Sequence, residues 1–152
     1  MATDLERREH NKSVLRFFFT HMAEIIDAGP EEVKKWRTEE SYNWLPFVSG
    51  LEPMVSQDHG WAGMQTVSQT FRFWRHEIIH IFDALDPDVL WVEADAVSRT
   101  RTLDLDYHQR YVCCFTFEDG KLAGNKEYFD SDQVALLLQE HEHQARAGAA
   151  DA

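Results

Sequence analysis

Two β-prone runs joined by a tight turn in the C-terminal half limit the folds open to this chain. Residues 107–117 and 122–129 are rich in aromatic and apolar residues, and Asp119-Gly120 between them is a strong hairpin signal. Such a turn joins neighbouring antiparallel strands, so the chain must build an antiparallel sheet. Further β signals precede the hairpin at residues 77–82 and 89–102, with Asp86-Pro87-Asp88 as the turn between them. Helical signals lie mostly earlier. Val14, Phe17, Phe18, Met22, Ile25 and Ile26 form an apolar stripe of helical period over residues 5–28, ended by Gly29-Pro30. Residues 31–36 read as a short second helix with Pro30 in its first turn, residues 61–73 as a third, and residues 131–144 as a last one. Residues 38–60 are punctuated by Pro46, Gly50, Pro53 and Gly60 yet carry Tyr42, Trp44, Leu45 and Phe47. That mixture predicts a loop or short strand folded over a core. Helices first and a strand meander last predict an α+β fold, with the helices on one face of an antiparallel sheet.

The 152 residues suffice for one domain whose core needs no staples. Fraying is expected over about residues 1–8 and 145–152. A net charge of −12 offers no basic footprint for nucleic acid and disfavours an anionic membrane surface. No apolar run approaches the ~20 residues a membrane span needs. Asp4, Glu6, Arg7, Arg8 and Glu9 do not read as a signal peptide. Cys113 and Cys114 are adjacent in a predicted strand, point to opposite faces and are not expected to pair. A reduced, cytoplasmic protein is the expectation.

His76-Glu77-Ile78-Ile79-His80 spells the zincin pattern, which needs a helix to bring both imidazoles to one Zn²⁺. Its isoleucines and Phe82 favour a strand, where the two histidines stand ~13 Å apart, so no metal is expected. There is no Gly-rich phosphate loop and no nucleophile elbow. Asp104 and Asp106 read as a solvated turn. Asp130, followed by Ser131-Asp132-Gln133 and an apolar helix, has the outline of a capping box. Glu127 stands mid-strand. Facing inward it would be desolvated and suited to proton transfer; facing outward it is an ordinary surface acid. The turn decides. A two-residue turn at Asp119-Gly120 sets Glu127 opposite Val112, on the face of His108 and Arg110. A three-residue turn with Gly120 as a bulge sets it opposite Tyr111, on the face of Tyr107 and Gln109.

Residues 115–121, followed by Glu127-Tyr128-Phe129-Asp130 and an Ala/Leu/Gln helix, resemble the SnoaL-like proteins. These belong to the nuclear transport factor 2-like superfamily, with ketosteroid isomerase, scytalone dehydratase and limonene epoxide hydrolase. The stretch from Phe71 through Asp86-Pro87 to Trp91-Val92-Glu93 is most similar to the phenazine biosynthesis A/B proteins. The likeness covers about the C-terminal half; the other half agrees in its helix order. It implies a cone-shaped α+β barrel: a curved antiparallel sheet wrapped around N-terminal helices, enclosing an apolar cavity and usually dimeric through the sheet.

The resemblance also implies a catalytic Glu at Glu127 and a pocket Tyr at Tyr107, which selects the bulged turn. The relatives' helix-three His and Ser fall on Gly63 and Val67, with His59, Trp61, Gln65 and Gln69 nearby. The epoxide hydrolases' Arg and Asp fall on Ala94 and Ala96. A cyclase-type Asp near the end of the last strand would be Glu127 or Asp130. The expected activity is cofactor-independent cyclisation or isomerisation of a hydrophobic, polyketide-like intermediate. Glu127 serves as base or acid, Tyr107 and Gln109 donate hydrogen bonds, and Asp130 is a further candidate. His21, Phe18, Trp44, Trp61, Gln65, Tyr111 and Phe129 are expected around the substrate. Dehydration or epoxide hydrolysis in the same pocket, or ligand binding without catalysis, are the alternatives.

Overall fold

The computed structural model describes residues 2–150, with side chains described as far as residue 146. Thr3 starts the first helix: its hydroxyl accepts the Glu6 N–H, and the Glu6 carboxylate accepts the Thr3 N–H at 2.7 Å. Helix α1 (Asp4–Thr20) therefore begins inside the stretch expected to fray. The long helix expected over residues 5–28 is two helices, because the backbone breaks at His21 before α2 (Met22–Ala28). Gly29, at a φ of 94°, turns the chain into α3 (Pro30–Trp36). Residues 38–60 are more ordered than expected. They hold most of β1 (Arg37–Trp44), the short β2 (Met54–Val55) and the start of α4 (Gln57–Thr70), whose Ser56 cap accepts the His59 N–H. There follow β3 (Phe71–Asp83), β4 (Val89–Thr100), β5 (Asp106–Glu118), β6 (Lys121–Phe129) and α5 (Ser131–Ala150). The tail expected to fray falls on the end of α5 and on residues 151–152, which lie outside the described residues.

The six strands form one curved sheet in the order β2-β1-β6-β5-β4-β3. It is mixed rather than purely antiparallel, because β1 arrives from the helical layer and runs parallel to β6. It is also open, with β2 and β3 as edges. Leu90, Val92, Ala94 and Ala96 of β4 and Cys113, Phe115 and Phe117 of β5 point inward. Val14, Leu15, Phe18, Met22, Ile25, Val33 and Met64 of the helices meet them, and the fully buried Leu15, Val33 and Leu90 mark the centre of the core. Among the described residues no helix is long and apolar enough to cross a membrane.

The hairpin adopts neither expected register. Asp119 and Gly120 both have positive φ, 49° and 74°, which is a two-residue turn, and Glu118 pairs with Lys121. The bulge lies further on: Phe117 pairs with Leu122 but Thr116 with Gly124, leaving Ala123 as an extra residue in β6. Glu127 is thereby opposite Cys113, on the inner face shared by Tyr107, Gln109 and Tyr111. The expected face is right; the bulge that produces it is at Ala123, not Gly120.

Candidate functional site

A cavity of about 290 Å³ opens between the helices and the inner face of the sheet. Its walls are mainly apolar, with Phe18, Met22, Met64, Phe71 and Phe129 among them. Eight polar or titratable side chains converge on it: Arg37, Asn43, His76, Tyr107, Tyr111, Cys113, Asn125 and Glu127. A mostly apolar cleft with a few convergent polar groups is the usual form of a small-molecule site.

Glu127 and Asn125 alternate with Lys126 along β6, so both face inward. The Asn125 amide donates to Glu127 Oε1 at 2.5 Å. Burial raises the Glu127 pKa; the Asn125 hydrogen bond and the charge of Arg37 oppose that rise without cancelling it. Arg37 sits where α3 passes into β1 and is buried. Its Nε donates to Ser41 Oγ at 3.0 Å, and its Nη2 donates to Asn43 Oδ1 at 3.0 Å. A Cβ on Gly60 would stand 3.1 Å from that Nε, so the glycine lets α4 pass close over the guanidinium. Burial pulls the Arg37 pKa down to about 10, with Glu127 acting against the fall, so it stays cationic at neutral pH.

Tyr107 and Tyr111 stand four residues apart on one face of β5, their hydroxyls 2.8 Å from each other. Burial pushes Tyr107 up to about 12 and Tyr111 well above its ordinary value. Both therefore keep their protons. One O–H donates to the other, which leaves the second proton free for a ligand. Gly63 and Val67 of α4 line the same cavity, and nothing lies within 4 Å of where a Gly63 side chain would begin. The two positions at which the resemblance led to an expected His and Ser are thus an apolar part of the wall, open at Gly63.

The structure brings Phe18, Tyr107, Tyr111, Glu127 and Phe129 together and sets the other candidates apart. Gln109 shares the inner face but is fully buried outside the cavity wall, its amide donating to the Asp130 carbonyl at 3.3 Å. Asp130 is exposed, and its carboxylate accepts the Asp132 N–H at 2.9 Å as the cap of α5. The expected box does not close, because Gln133 accepts the His108 N–H at 3.2 Å instead. His21 stands at the break between α1 and α2: its Nδ1 bonds the Phe17 carbonyl at 3.0 Å and its ring stacks on Phe17. Trp44 donates to the Leu51 carbonyl under Lys126, Trp61 packs on the core, and Gln65 is exposed on α4. Asp104 pairs with Arg72 and Arg99 in the exposed turn after β4. The zincin-like run is part of β3, and no cluster of metal-ligating side chains forms among the described residues.

Sequence reasoning missed Arg37, Asn43 and Asn125. Arg37 and Asn43 lie in a segment with no periodic signal. Asn125 was detectable, since any register that turns Glu127 inward turns the residue two before it inward as well.

The family model for phenazine biosynthesis protein A/B matches residues 33–144, and the chain belongs to that family. Its nuclear transport factor 2-like fold recurs in solved structures. A phenazine biosynthesis-related protein from Pseudomonas aeruginosa is 19% identical, with a TM-score of 0.71 over 90% of this chain and 89% of that one. PrhC from Penicillium brasilianum is 15% identical, with a TM-score of 0.74 over 91% and 92% of the two chains. A nuclear transport factor 2-like protein from Burkholderia xenovorans is 14% identical, with a TM-score of 0.64 over 85% and 95%. At such identities the likeness is one of fold. No curated protein gives a significant sequence match.

Proposed function

We propose that the chain is a cofactor-independent isomerase or cyclase acting on a hydrophobic, polyketide-like intermediate of natural-product biosynthesis. The observation that carries this is the Glu127 carboxyl, turned into an apolar cavity with its pKa raised, beside a pair of protonated tyrosines. Glu127 removes a proton from carbon next to a carbonyl. The C–H electron pair moves to the carbonyl oxygen, which takes a hydrogen bond from the free tyrosine O–H as its charge grows. Return of the proton to another carbon completes an isomerisation; attack of the enolate carbon on a second carbonyl, whose oxygen then takes the proton back from Glu127, completes a cyclisation. The walls contribute by holding the substrate folded.

The protein is proposed to work in the cytoplasm as a homodimer through the outer face of the sheet. There Trp91, Val112 and Tyr128 are exposed, and the first and last of these rings stack at 6.3 Å.

The test incubates wild type and Glu127→Gln in heavy water with cyclic β,γ-unsaturated ketones and β-diketones. Deuterium uptake next to the carbonyl is read by NMR, and binding by tryptophan fluorescence. Uptake by wild type alone, with binding kept by the variant, is the expected result. Equal uptake by both refutes acid–base catalysis by Glu127. Binding without uptake by either protein supports a ligand carrier, a reading favoured by the apolar Gly63 and Val67 positions.

A further inference from the structure

The proposed reaction leaves His76 without a task, yet its ring lines the cavity. It pairs with Ala96 of β4, and Ala94 pairs with both Ile78 and Tyr111. With only methyl groups at these two buried positions, the inner face is low along β4. His76 from β3 and Tyr111 from β5 meet above it, ring centroids 5.9 Å apart, and Phe19 covers another side at 4.9 Å.

Trp74 fixes the orientation. Its indole Nε1 lies 3.1 Å from both His76 ring nitrogens, and the two rings are nearly perpendicular, at 83°. The nitrogens flank a single carbon, so an in-plane approach at equal distance would collide with that carbon. The indole N–H therefore points at the face of the imidazole, an N–H···π contact. Among the described residues no other hydrogen-bonding partner reaches the ring. Burial lowers the His76 pKa to about 4, so at neutral pH the ring is uncharged, with one N–H donor and one acceptor.

We infer that His76 is a ligand-contact residue whose in-plane nitrogens hydrogen-bond a second polar group of the molecule in the cavity. Glu127 stands on β6 and His76 on β3, with β4 and β5 between them, about 14 Å apart along the sheet. The ligand class is a flat apolar molecule with hydroxyl or carbonyl oxygens at opposite ends. One end meets the tyrosine–Glu127 side, and the other is read by His76. This rests on the cavity being the ligand site of the proposed function, but not on proton transfer by Glu127.

The test uses two probes on the full chain: a naphthalene mono-ol, and the naphthalene diol with hydroxyls at opposite ends. Tryptophan fluorescence measures affinity, and nitrogen NMR follows the His76 ring. Wild type is expected to favour the diol by about tenfold, the worth of one hydrogen bond. His76→Phe reduces the preference to about twofold or less, and His76→Gln, which keeps a donor and an acceptor, restores most of it. The His76 nitrogen resonances move with the diol and not with the mono-ol. Neither probe is turned over, so the affinity ratio is read independently of deuterium uptake, which separates this inference from the catalytic one. A diol that does not bind, a preference unchanged in His76→Phe, or ring resonances insensitive to the diol each overturn it. If His76→Phe does not fold, the wild-type resonances and His76→Gln decide.

Discussion

Helix α5 closes the cavity with Leu137, and one carboxylate one turn further on holds the helix in place. Glu140 is completely buried. Its two oxygens accept the backbone N–H groups of Thr102 at 2.7 Å and Leu103 at 2.8 Å, and Gln144 donates a further hydrogen bond at 2.9 Å. Burial alone would raise its pKa. The Leu103 and Thr102 N–H groups, with the Thr102 and Thr100 hydroxyls, outweigh burial and hold it at about 2, against an ordinary 4.5. The linkage has a definite sign. The unfolded chain takes up the proton first as pH falls, so the stabilisation is complete above pH 4.5 and is lost as pH drops through about 2. A depression of that size corresponds to about 3 kcal/mol, reduced to about 2 kcal/mol by solvent screening at the chain surface nearby.

Glu140→Gln keeps the shape but not the charge, and one N–H loses its acceptor. At neutral pH it should cost about 2 kcal/mol and lower Tm by about 4–8 °C. The assay is urea unfolding of both proteins from neutral pH down to about pH 2, followed by tryptophan fluorescence. The gap must narrow with acid and close at the low end. A neutral-pH difference under about 0.5 kcal/mol, or a gap of constant size at all pH values, refutes the carboxylate clamp. Ligand affinity at neutral pH should fall in the variant as well, because Leu137 moves with α5.

Three further outcomes are expected. A Cβ on Gly124 would overlap the Tyr42 ring across the β1–β6 pairing, so Gly124→Ala should cost about 1–3 kcal/mol by urea unfolding, and adding Tyr42→Ala should recover most of it. Because the raised Glu127 pKa makes the folded state hold its proton longer than the unfolded chain does, wild type loses stability as pH rises from 4.5 through that raised value. Glu127→Gln should therefore gain on wild type as pH rises above 4.5 in thermal scans, and parallel curves would contradict this. Deleting Ala123 removes the bulge and turns residues 124–129 over, presenting Lys126 and Tyr128 to the core. That variant should show no cooperative unfolding by near-ultraviolet circular dichroism, and a sharp transition would count against the bulge as the register device.

The strands β4, β5 and β6 and the helices α3 and α5 were legible because each has a strong local signal: alternation, a turn dipeptide, a proline in the first turn. The break at His21 and the placement of β1 were not, since both are set by contacts between segments distant in sequence. Arg37 shows the cost of that gap. It lies outside any motif, and the parallel pairing of β1 with β6, the one such pairing among the described residues, brings its guanidinium to the cavity. The hairpin makes the point more sharply. Asp119-Gly120 correctly announced a turn, and counting from it gave two possible partner sets for Glu127, each one residue from the other. A two-residue turn by itself would have turned Glu127 outward. The fold instead adds Ala123 three residues later, and the parity returns. What a turn dipeptide fixes is where a hairpin reverses. Which face its far end presents is fixed by burial: inward go Leu122, Asn125, Glu127 and half-buried Phe129, outward Lys126 and Tyr128, and the strand carries whatever bulge that division requires.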